Sequence, residues 1–281
     1  MKNTISFQGE LGSYSHQACL NLYPEYNVNP CPTFESTIDT VTRGNSTLAM
    51  LPIENSTYGR VADIHSLLPS SGLIIIKEYF LRIRISLLAL PGSSISQIKS
   101  AISHTVLLGQ CRDFLQKNNI TSVVGPDTAG SAKKVASNND ITTAALASEL
   151  AGSIYGLETL ASNIEDMNNN TTRFLIMAKD SNLIDKKIKQ DEAMMTLVFE
   201  VRNLPAALYK ALGGFATNGI NMLKLESYMI GGSFTATQFY LDIEGHPEMP
   251  SVRQAIDELK YFSSTVKVMG VYKKHQHRPK R

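Results

Sequence analysis

Short polar segments are the places where this sequence could do chemistry. They share hydroxyl and amide side chains, and one contains an arginine. The segments are Gly12-Ser13-Tyr14-Ser15, Pro52-Ile53-Glu54-Asn55-Ser56-Thr57, Ser103-His104 with Gln110-Cys111, Thr128-Ala129-Gly130-Ser131 and Asn170-Thr171-Thr172-Arg173-Phe174. They lie at the ends of predicted strands, where open α/β sheets bind ligands and helix N-termini present free N–H groups to anions. Together they predict a site for a small ligand that carries a carboxylate.

No familiar nucleophile motif or cofactor-binding motif accompanies these segments. The sequence has no Walker loop, HExxH or GxSxG, and Gly9 to Gly12 resembles only part of a dinucleotide loop. Its six histidines are scattered. We therefore expect neither a metal nor a cofactor. Taken singly, each segment is equally well explained by helix capping or turn formation, as for Ser13, Ser15 and Thr128. Only their joint presence indicates a site.

Composition excludes several classes of protein. The chain has 281 residues, which suggests two domains, and Lys plus Arg number 27 against 25 Asp plus Glu. A net charge this close to zero gives no strong electrostatic field that would attract nucleic acid. The most apolar stretch, 73–90, contains charged residues and cannot be a membrane span, and the N-terminus has no secretory signal. We expect a cytoplasmic protein that binds neither nucleic acid nor membrane. Its cysteines should be free buried thiols: Cys19, Cys31 and Cys111.

The first 178 residues alternate short strands and helices, which predicts an α/β sheet with crossover helices. Strands are expected over 4–7, 47–52, 73–80, 82–89, 122–124, 142–145 and 173–178. Helices are expected over 15–22, 36–43, 61–68, 94–102, 109–118, 130–136 and 148–155. The alternation from Leu81 to Ile85 predicts a strand with one face toward solvent.

A charged segment, 179–192, predicts a linker, with a short surface helix as the alternative. The remainder has the order β-α-β-β-α-β. Pro205 and Pro250 open the two helices, and Gly231-Gly232 forms a hairpin turn before a strand at 234–243. This order is typical of the ferredoxin-like arrangement, a four-stranded sheet with two helices on one side. The basic end is expected to be solvated: Lys273, Lys274, Arg278, Lys280 and Arg281.

The polar motifs, in this order, resemble the prephenate dehydratase family. They are Gly9-x-x-Gly12-Ser13-Tyr14-Ser15, Pro52-Ile53-Glu54-Asn55-Ser56 through Gly59 and Val61, Gly109-Gln110-Cys111, and Asn170-x-Thr172-Arg173-Phe174. Later segments resemble the ACT domain appended to that family: the strand from Met195, the turn Asn203–Leu208, Gly219-Ile220-Asn221 and Glu226-Ser227. The resemblance implies an α/β two-lobed periplasmic-binding-protein-like (type II) catalytic domain over 1–178 and a linker over 179–192. An α+β ferredoxin-like (βαββαβ) ACT regulatory domain over 193–275 and a basic tail over 276–281 would follow.

The same resemblance implies loss of water and carbon dioxide from prephenate, which gives phenylpyruvate on the route to phenylalanine without a cofactor. Carried over position by position, Thr172 corresponds to the catalytic threonine, and Asn55 and Gln110 to active-site polar groups. Arg173 corresponds to a contact with a substrate anion. Further substrate-binding residues are expected at Ser13, Ser56, Thr171 and Phe174.

The reaction suits this inventory. Prephenate carries a hydroxyl and a carboxylate at opposite ends of a cyclohexadiene ring, and losing both makes the ring aromatic. The driving force lies in the substrate, so a hydrogen-bond donor near the leaving oxygen suffices. Thr172 is hypothesised to be this donor or a proton relay, an effect worth about 2.7–4 kcal/mol by analogy with oxyanion-hole donors. Arg173 would hold the side-chain carboxylate in a fork.

An ACT domain implies feedback by L-phenylalanine and assembly into a homodimer or homotetramer. The family's Gly-Ala-Leu turn and Glu-Ser-Arg-Pro motif read Ala206-Ala207-Leu208 and Glu226-Ser227-Tyr228-Met229 here. Tyr228 and Met229 thus replace the arginine and proline of the family motif, so an aromatic and a thioether side chain stand where the family has a charged edge. The methyl group of Ala206 narrows the turn. L-phenylalanine remains the predicted effector. The expected allosteric residues are Ala206, Ala207, Leu208, Asn221, Glu226 and Ser227.

Two alternatives remain open. The first is arogenate dehydratase, whose substrate carries an ammonium in place of a ketone, and for which Glu54 is a candidate partner. The second is a non-catalytic amino-acid sensor. The Thr172-Arg173-Phe174 element argues against a sensor, because a passive pocket has no evident need for it.

Overall fold

The computed structural model describes residues 3–185, 187–229 and 236–278. Two compact units form: one comprises 1–64 and 79–174, and the other comprises 65–78 and 175–281. The second unit therefore includes segment 65–78, which precedes most of the first unit in the chain. The predicted domain boundaries at 178 and 193 stay a prediction.

The secondary structure alternates as an α/β chain does. The strands are β1 Thr4–Gln8, β2 Asn27–Cys31, β3 Leu48–Asn55, β4 Gly59–Arg60, β5 Ile74–Arg82, β6 Ser86–Ala89, β7 Ser100–Ser103, β8 Thr121–Val124, β9 Thr143–Ala147, β10 Glu158–Ser162, β11 Thr171–Ala178, β12 Ala193–Val201, β13 Met222–Met229, β14 Ala236–Glu244 and β15 Ser263–Lys273. The α-helices are α1 Tyr14–Leu22, α2 Phe34–Thr42, α3 Ala62–Leu67, α4 Thr105–Gln110, α5 Arg112–Lys117, α6 Thr128–Asn138, α7 Glu149–Tyr155, α8 Ala207–Thr217 and α9 Pro250–Phe262. None of the helices described combines the length and the apolar character that crossing a membrane requires.

The first unit contains two sheets. In one, β1 lies parallel to both β2 and β3, and β4 folds back antiparallel on β3. In the other, the order is β10-β6-β9-β7-β8, with β7 parallel to its neighbours and β6 antiparallel to its neighbours. Leu88, Ala145 and Ala132 belong to an apolar cluster that joins the second sheet to its helices. The predicted α/β class of this part is confirmed.

The second unit has the predicted order, β12-α8-β13-β14-α9-β15. Its strands pair antiparallel in the sequence β13-β14-β12-β15. Leu197, Phe215, Leu241 and Leu259 are buried in its core between the sheet and the two helices. Strand β5 joins β15 where Gly270 lies opposite Ile75, and any side chain at Gly270 would collide with the Ile75 backbone.

Part of the basic end, Lys274 and Arg278, is not solvated as predicted, whereas Lys273 is exposed. Arg278 donates from Nε and Nη2 to the two carboxylate oxygens of Glu78 at 2.8 and 2.9 Å, and Lys274 pairs with Glu244. Glu78 is almost completely buried, and a buried carboxylate needs a counter-charge, so it binds the chain end. The predicted turn at Gly231-Gly232, the start of the strand predicted from 234, Lys280 and Arg281 lie outside the described residues.

Several predicted elements differ from the structure. The helix expected over 109–118 is broken at Cys111, and its first part, α4, begins already at Thr105. The strand expected over 82–89 is divided, because the Glu165 carboxylate accepts the Ile85 N–H at 2.9 Å and β6 begins only at Ser86. The helix expected over 94–102 is a single 3-10 turn followed by β7. Pro205 does not open α8, because Ala206 adopts a left-handed conformation and the helix begins at Ala207.

Candidate active site

The first unit holds a cavity of about 410 Å³. Its walls come from the loop after β1, the β3–β4 hairpin, α4, α6 and the start of β11. Residues of the predicted site that line it are Ser13, Asn55, Gln110, Thr172 and Phe174. Segments far apart in sequence therefore meet at one cavity, as the polar motifs predict.

Asn55 is the centre of the polar wall. Its Nδ2 donates to Thr172 Oγ1 at 3.0 Å and to Asn170 Oδ1 at 2.8 Å. Its Oδ1 accepts the backbone N–H groups of Thr57 and Tyr58 at 2.9 and 3.0 Å. One side chain thus orients the threonine and also fixes the β3–β4 hairpin.

The hydroxyl proton of Thr172 is left for a ligand. A hydroxyl has one proton to donate and two lone pairs. Asn55 occupies a lone pair, and across the described residues no hydrogen bond donated by this hydroxyl is found. Because Thr172 lines the cavity, its O–H can point into it.

Gln110 extends the polar network from the other side. Its Oε1 accepts from Asn170 Nδ2 at 2.9 Å, so Thr172, Asn55, Asn170 and Gln110 form one chain. Its Nε2 is buried and has no hydrogen-bond partner among the described residues. An unsatisfied buried donor is costly, which indicates that a ligand or water oxygen completes it.

Ser56 and Thr171 lie behind the wall and are not among the residues that line the cavity. Ser56 N–H donates to the Thr171 carbonyl at 2.9 Å, and Thr171 N–H donates to Ser56 Oγ at 2.9 Å. The two residues tie the hairpin to β11. The contacts in the structure give them a positioning role, and their predicted substrate contacts stay a prediction.

Arg173 has a protein partner. It is 1% exposed, and its Nη1 donates to Glu54 Oε1 at 2.9 Å. Neither residue lines the cavity. The alternation of β11 explains this placement, because Thr172 and Phe174 face the cavity and Arg173 points to the opposite side. The guanidinium predicted to hold a substrate anion is therefore occupied by an ion pair.

The loop after β1 is fastened on several sides. Ser13 caps α1, and the Gly12 N–H donates to Nδ1 of His16 at 2.9 Å. Burial lowers the pKa of His16, which keeps that nitrogen an acceptor. The Gly12 carbonyl accepts from Ser148 Oγ at 2.6 Å, and a Cβ at Gly12 would lie 2.7 Å from Ala151 Cα. This close approach to α7 requires glycine.

The buried thiols are as predicted. All three cysteines are free and buried. Burial, with a smaller effect from Asp166 and Glu165, raises the pKa of Cys111, which follows Gln110. Within the described residues, no group of three His, Cys, Asp or Glu side chains could hold a metal ion, and the predicted lack of a metal stays a prediction.

The expected allosteric residues lie in the second unit. Ala206 precedes α8 with φ 60°, Ala207 is buried, and Leu208 packs on the core. Asn221 Nδ2 donates to Glu244 at 2.9 Å, and Glu226 pairs with Lys224 at 3.2 Å. Ser227 lies in β13 opposite Phe239. Tyr228, which stands where the family motif has arginine, hydrogen-bonds His65 through its hydroxyl.

Sequence reasoning did not assign a role to Asn170 or Arg60. Asn170 is buried and joins Asn55 to Gln110, while Arg60 lines the cavity from β4. Both stand inside or beside quoted motifs, but side-chain contacts across more than 100 residues of sequence leave no local pattern.

Comparisons with known proteins identify the family of this chain. The family model for prephenate dehydratase matches residues 5–182. A bifunctional N-acyl-homoserine lactone acylase/prephenate dehydratase of Komagataeibacter europaeus is 46% identical over 95% of both chains. Arogenate dehydratase/prephenate dehydratase 1 of Arabidopsis thaliana is 35% identical, over 96% of this chain and 72% of that protein. A prephenate dehydratase from Arthrobacter aurescens, solved in complex with L-Phe, superposes with a TM-score of 0.88 at 26% identity, over 99% of this chain and 92% of that one.

Proposed function

The chain belongs to the prephenate dehydratase family of enzymes, and on that premise we propose that it converts prephenate to phenylpyruvate, carbon dioxide and water in the formation of L-phenylalanine. The observation that carries the proposal is the Thr172 hydroxyl. It lines the cavity while Asn55 holds its oxygen. This is the geometry of a donor that is oriented before the substrate binds.

The proposed step needs one proton. The bond between the ring and its carboxylate breaks, and its electron pair enters the ring as carbon dioxide leaves. The ring then expels its hydroxyl, which takes a proton and departs as water. Thr172 donates its hydrogen bond to that oxygen and relays the proton, while Asn55 keeps the hydroxyl oriented. Gln110 Nε2, buried without a partner in the described residues, donates to a second substrate oxygen.

An assay for phenylpyruvate formed from prephenate tests the proposal. We expect turnover by the purified protein, and a fall in kcat of about 10²–10³-fold for Thr172→Ala with little change in KM, because the lost interaction acts on the transition state. Thr172→Ser keeps the hydroxyl and is the matched control, with much smaller loss expected. No turnover by the wild-type protein would favour the sensor, and normal turnover by Thr172→Ala would refute the role of Thr172.

Arogenate is the second candidate substrate. Relatives named as arogenate dehydratase/prephenate dehydratase support it, and two carboxylates, Glu10 and Asp127, line the cavity. Glu54, the partner considered from the sequence, is paired with Arg173 instead. Comparing kcat/KM for the two substrates on one preparation decides between them, and Glu10→Gln should lower kcat/KM for arogenate alone if this carboxylate binds the ammonium.

A further candidate is amide hydrolysis of N-acyl-homoserine lactones, since the Komagataeibacter relative carries that name. Apolar side chains of the cavity, including Ile83, Leu107 and Phe174, would suit an acyl chain. A Cys111 thiolate is an unsuitable nucleophile because burial raises its pKa. Release of homoserine lactone from an acylated substrate, followed in wild type and Thr172→Ala, would show whether this activity exists and whether it uses the same site.

We also propose L-phenylalanine as an effector of an ACT domain over 193–275, in a homodimer or homotetramer. The Arthrobacter neighbour with L-Phe supports the effector, and the βαββαβ order supports the domain. Calorimetric titration of the whole protein with L-phenylalanine, with light scattering for its mass, tests both. Heat of binding that Ala206→Trp removes would support the 206–208 turn, and an unaltered titration would argue against it.

A further inference from the structure

The cavity wall contains one fixed cation in the part of the chain that the structure describes. Among the residues lining the cavity, Arg60 is the only Lys or Arg. The lining carboxylates have other partners: Glu10 pairs with Lys133 at 3.3 Å, and Asp127 accepts the Gly130 N–H at 2.6 Å as the cap of α6. The fixed positive charge among the residues that line the cavity therefore comes from the β3–β4 hairpin.

The backbone of Arg60 is held in a defined place. It pairs antiparallel with Glu54, and the Val61 N–H donates to the Ile53 carbonyl at 3.0 Å. Gly59 makes the turn possible with φ 77°, a conformation that residues with a Cβ rarely adopt. The turn is closed from inside by Asn55 Oδ1. The same asparagine that orients Thr172 thus also fixes the hairpin that carries Arg60.

Arg173 is poorly placed for the role that the family motif suggests. Its guanidinium is buried and bonded to Glu54, and moving it to a ligand would leave that carboxylate without this partner. Breaking a buried ion pair is costly. Arg60 is exposed at the cavity and carries the same forked donor set, which matches a carboxylate.

We propose that Arg60 binds the side-chain carboxylate of the substrate, an inference that rests on the proposed function. Prephenate has two carboxylates, and the one on the ring must leave as carbon dioxide. A cation bound to the departing group would stabilise the ground state and slow the reaction, whereas a cation on the retained carboxylate anchors the substrate without that cost. Arg60 therefore determines affinity for the pyruvyl end, and Thr172 acts on the hydroxyl at the other end.

Kinetics of Arg60→Gln and Arg60→Lys test the assignment. Loss of a hydrogen bond between charged groups predicts a rise in KM of about tenfold to hundredfold for Arg60→Gln, with kcat changed far less. Arg60→Lys keeps the charge but loses the forked pair of donors, so its KM should lie between those of the wild type and Arg60→Gln. The inhibition constant of the product phenylpyruvate, which keeps only the side-chain carboxylate, should rise by the same factor as KM. The matched control is Arg43→Gln, because Arg43 is an exposed arginine just after α2 and does not line the cavity.

A binding measurement makes the outcome independent of turnover. Calorimetry with 3-phenylpropanoate and its uncharged amide compares ligands that differ only in the carboxylate. We expect the wild type to prefer the acid and Arg60→Gln to bind both equally. An unchanged preference in Arg60→Gln, an unchanged KM, or a wild type without preference would overturn the assignment. If the wild type makes no phenylpyruvate but loses its acid preference on Arg60→Gln, only the proposed function fails.

Discussion

The cavity residues of the first unit and the expected effector residues of the second unit are organised differently. Thr172, Asn55, Asn170 and Gln110 are joined by direct side-chain hydrogen bonds of 2.8–3.0 Å, although 117 positions separate Asn55 from Thr172. The effector residues lie at the start of α8 and in or just before β13. Two of them, Asn221 and Glu226, bond to side chains of Glu244 and Lys224 in or beside β14 and β13.

This difference teaches where a motif is informative about function. A catalytic hydroxyl must be held in one orientation, so its motif residues contact one another and the structure can test the grouping. A regulatory turn needs a shape that fits an effector, and its motif residues do not have to touch each other. Variants that break one region and leave the other intact sharpen the contrast.

The largest effect is expected at Arg173. Removing one partner of a buried ion pair leaves an uncompensated charge, so Arg173→Met should lower the free energy of unfolding by about 3 kcal/mol, measured by urea denaturation. The double variant Arg173→Met with Glu54→Gln should recover part of the lost free energy of unfolding, because no unpaired charge then remains at this place. If that double variant is stable and keeps its KM, Arg173 is structural. A raised KM at normal stability would restore the substrate contact that the motif predicts.

Asn55 separates the two functions of one side chain. Asn55→Asp keeps an oxygen acceptor for the Thr57 and Tyr58 N–H groups but loses the amide donors to Thr172 and Asn170. We expect a kcat lowered by about tenfold or more, with KM nearly unchanged. Asn55→Ala loses both sets of bonds, and KM should rise as well because the hairpin loosens.

Equal kinetics of the Asn55→Asp and Asn55→Ala variants would contradict the division between orientation of the threonine and support of the hairpin. Thermal unfolding supplies the control. We expect Asn55→Ala to be destabilised by about 0.5–1.5 kcal/mol for each hydrogen bond that is lost.

The smallest effect is expected at Ala206. It has φ 60° and ψ 21°, a left-handed conformation that costs an L-residue about 1–2 kcal/mol. Ala206→Gly should therefore stabilise the protein by about 0.4–1 kcal/mol, read from the urea midpoint, with kcat unchanged. A matched change at Ala207, which lies inside α8, should destabilise instead. Loss of stability in Ala206→Gly would show that the methyl group contributes packing that outweighs the strain.

Periodicity predicted most of the fold. Alternation from Met195 identified β12, although the first seven residues of this strand are all buried. Helical spacing with Pro250 identified α9, which buries one face. Strand β2 was missed because Asn27–Cys31 contains Asn and Pro and has only one buried residue. The helix expected from Ser94 was wrong. Gln97 does accept the Ser94 N–H, as at a helix start, but the residues that follow form β7 and pair in parallel with β9.

The candidate site was predictable only as a set of segments. The motifs located residues that line the cavity, since loops that follow strands of both sheets of the first unit meet there. They could not distinguish Thr172, which faces the cavity, from Arg173, which faces away, because the direction of β11 is set by its partners in space. The ion pair between Arg173 and Glu54 fixes which side of β11 each side chain occupies, and its two residues are 119 positions apart in the sequence.

The fastening of the loop after β1 has a mechanical consequence. Gly12 lies close to Ala151, Ser148 donates to the Gly12 carbonyl, and Tyr155 donates to the Leu11 carbonyl at 2.8 Å. The loop therefore links the first sheet of the first unit to α7, a helix that packs on the second sheet of the same unit. The polar chain from Asn55 through Asn170 to Gln110 joins the same two parts of the unit at the cavity wall. We expect any movement of one sheet against the other to be smallest where these two sets of bonds hold them, at residues 11–12 and along this chain.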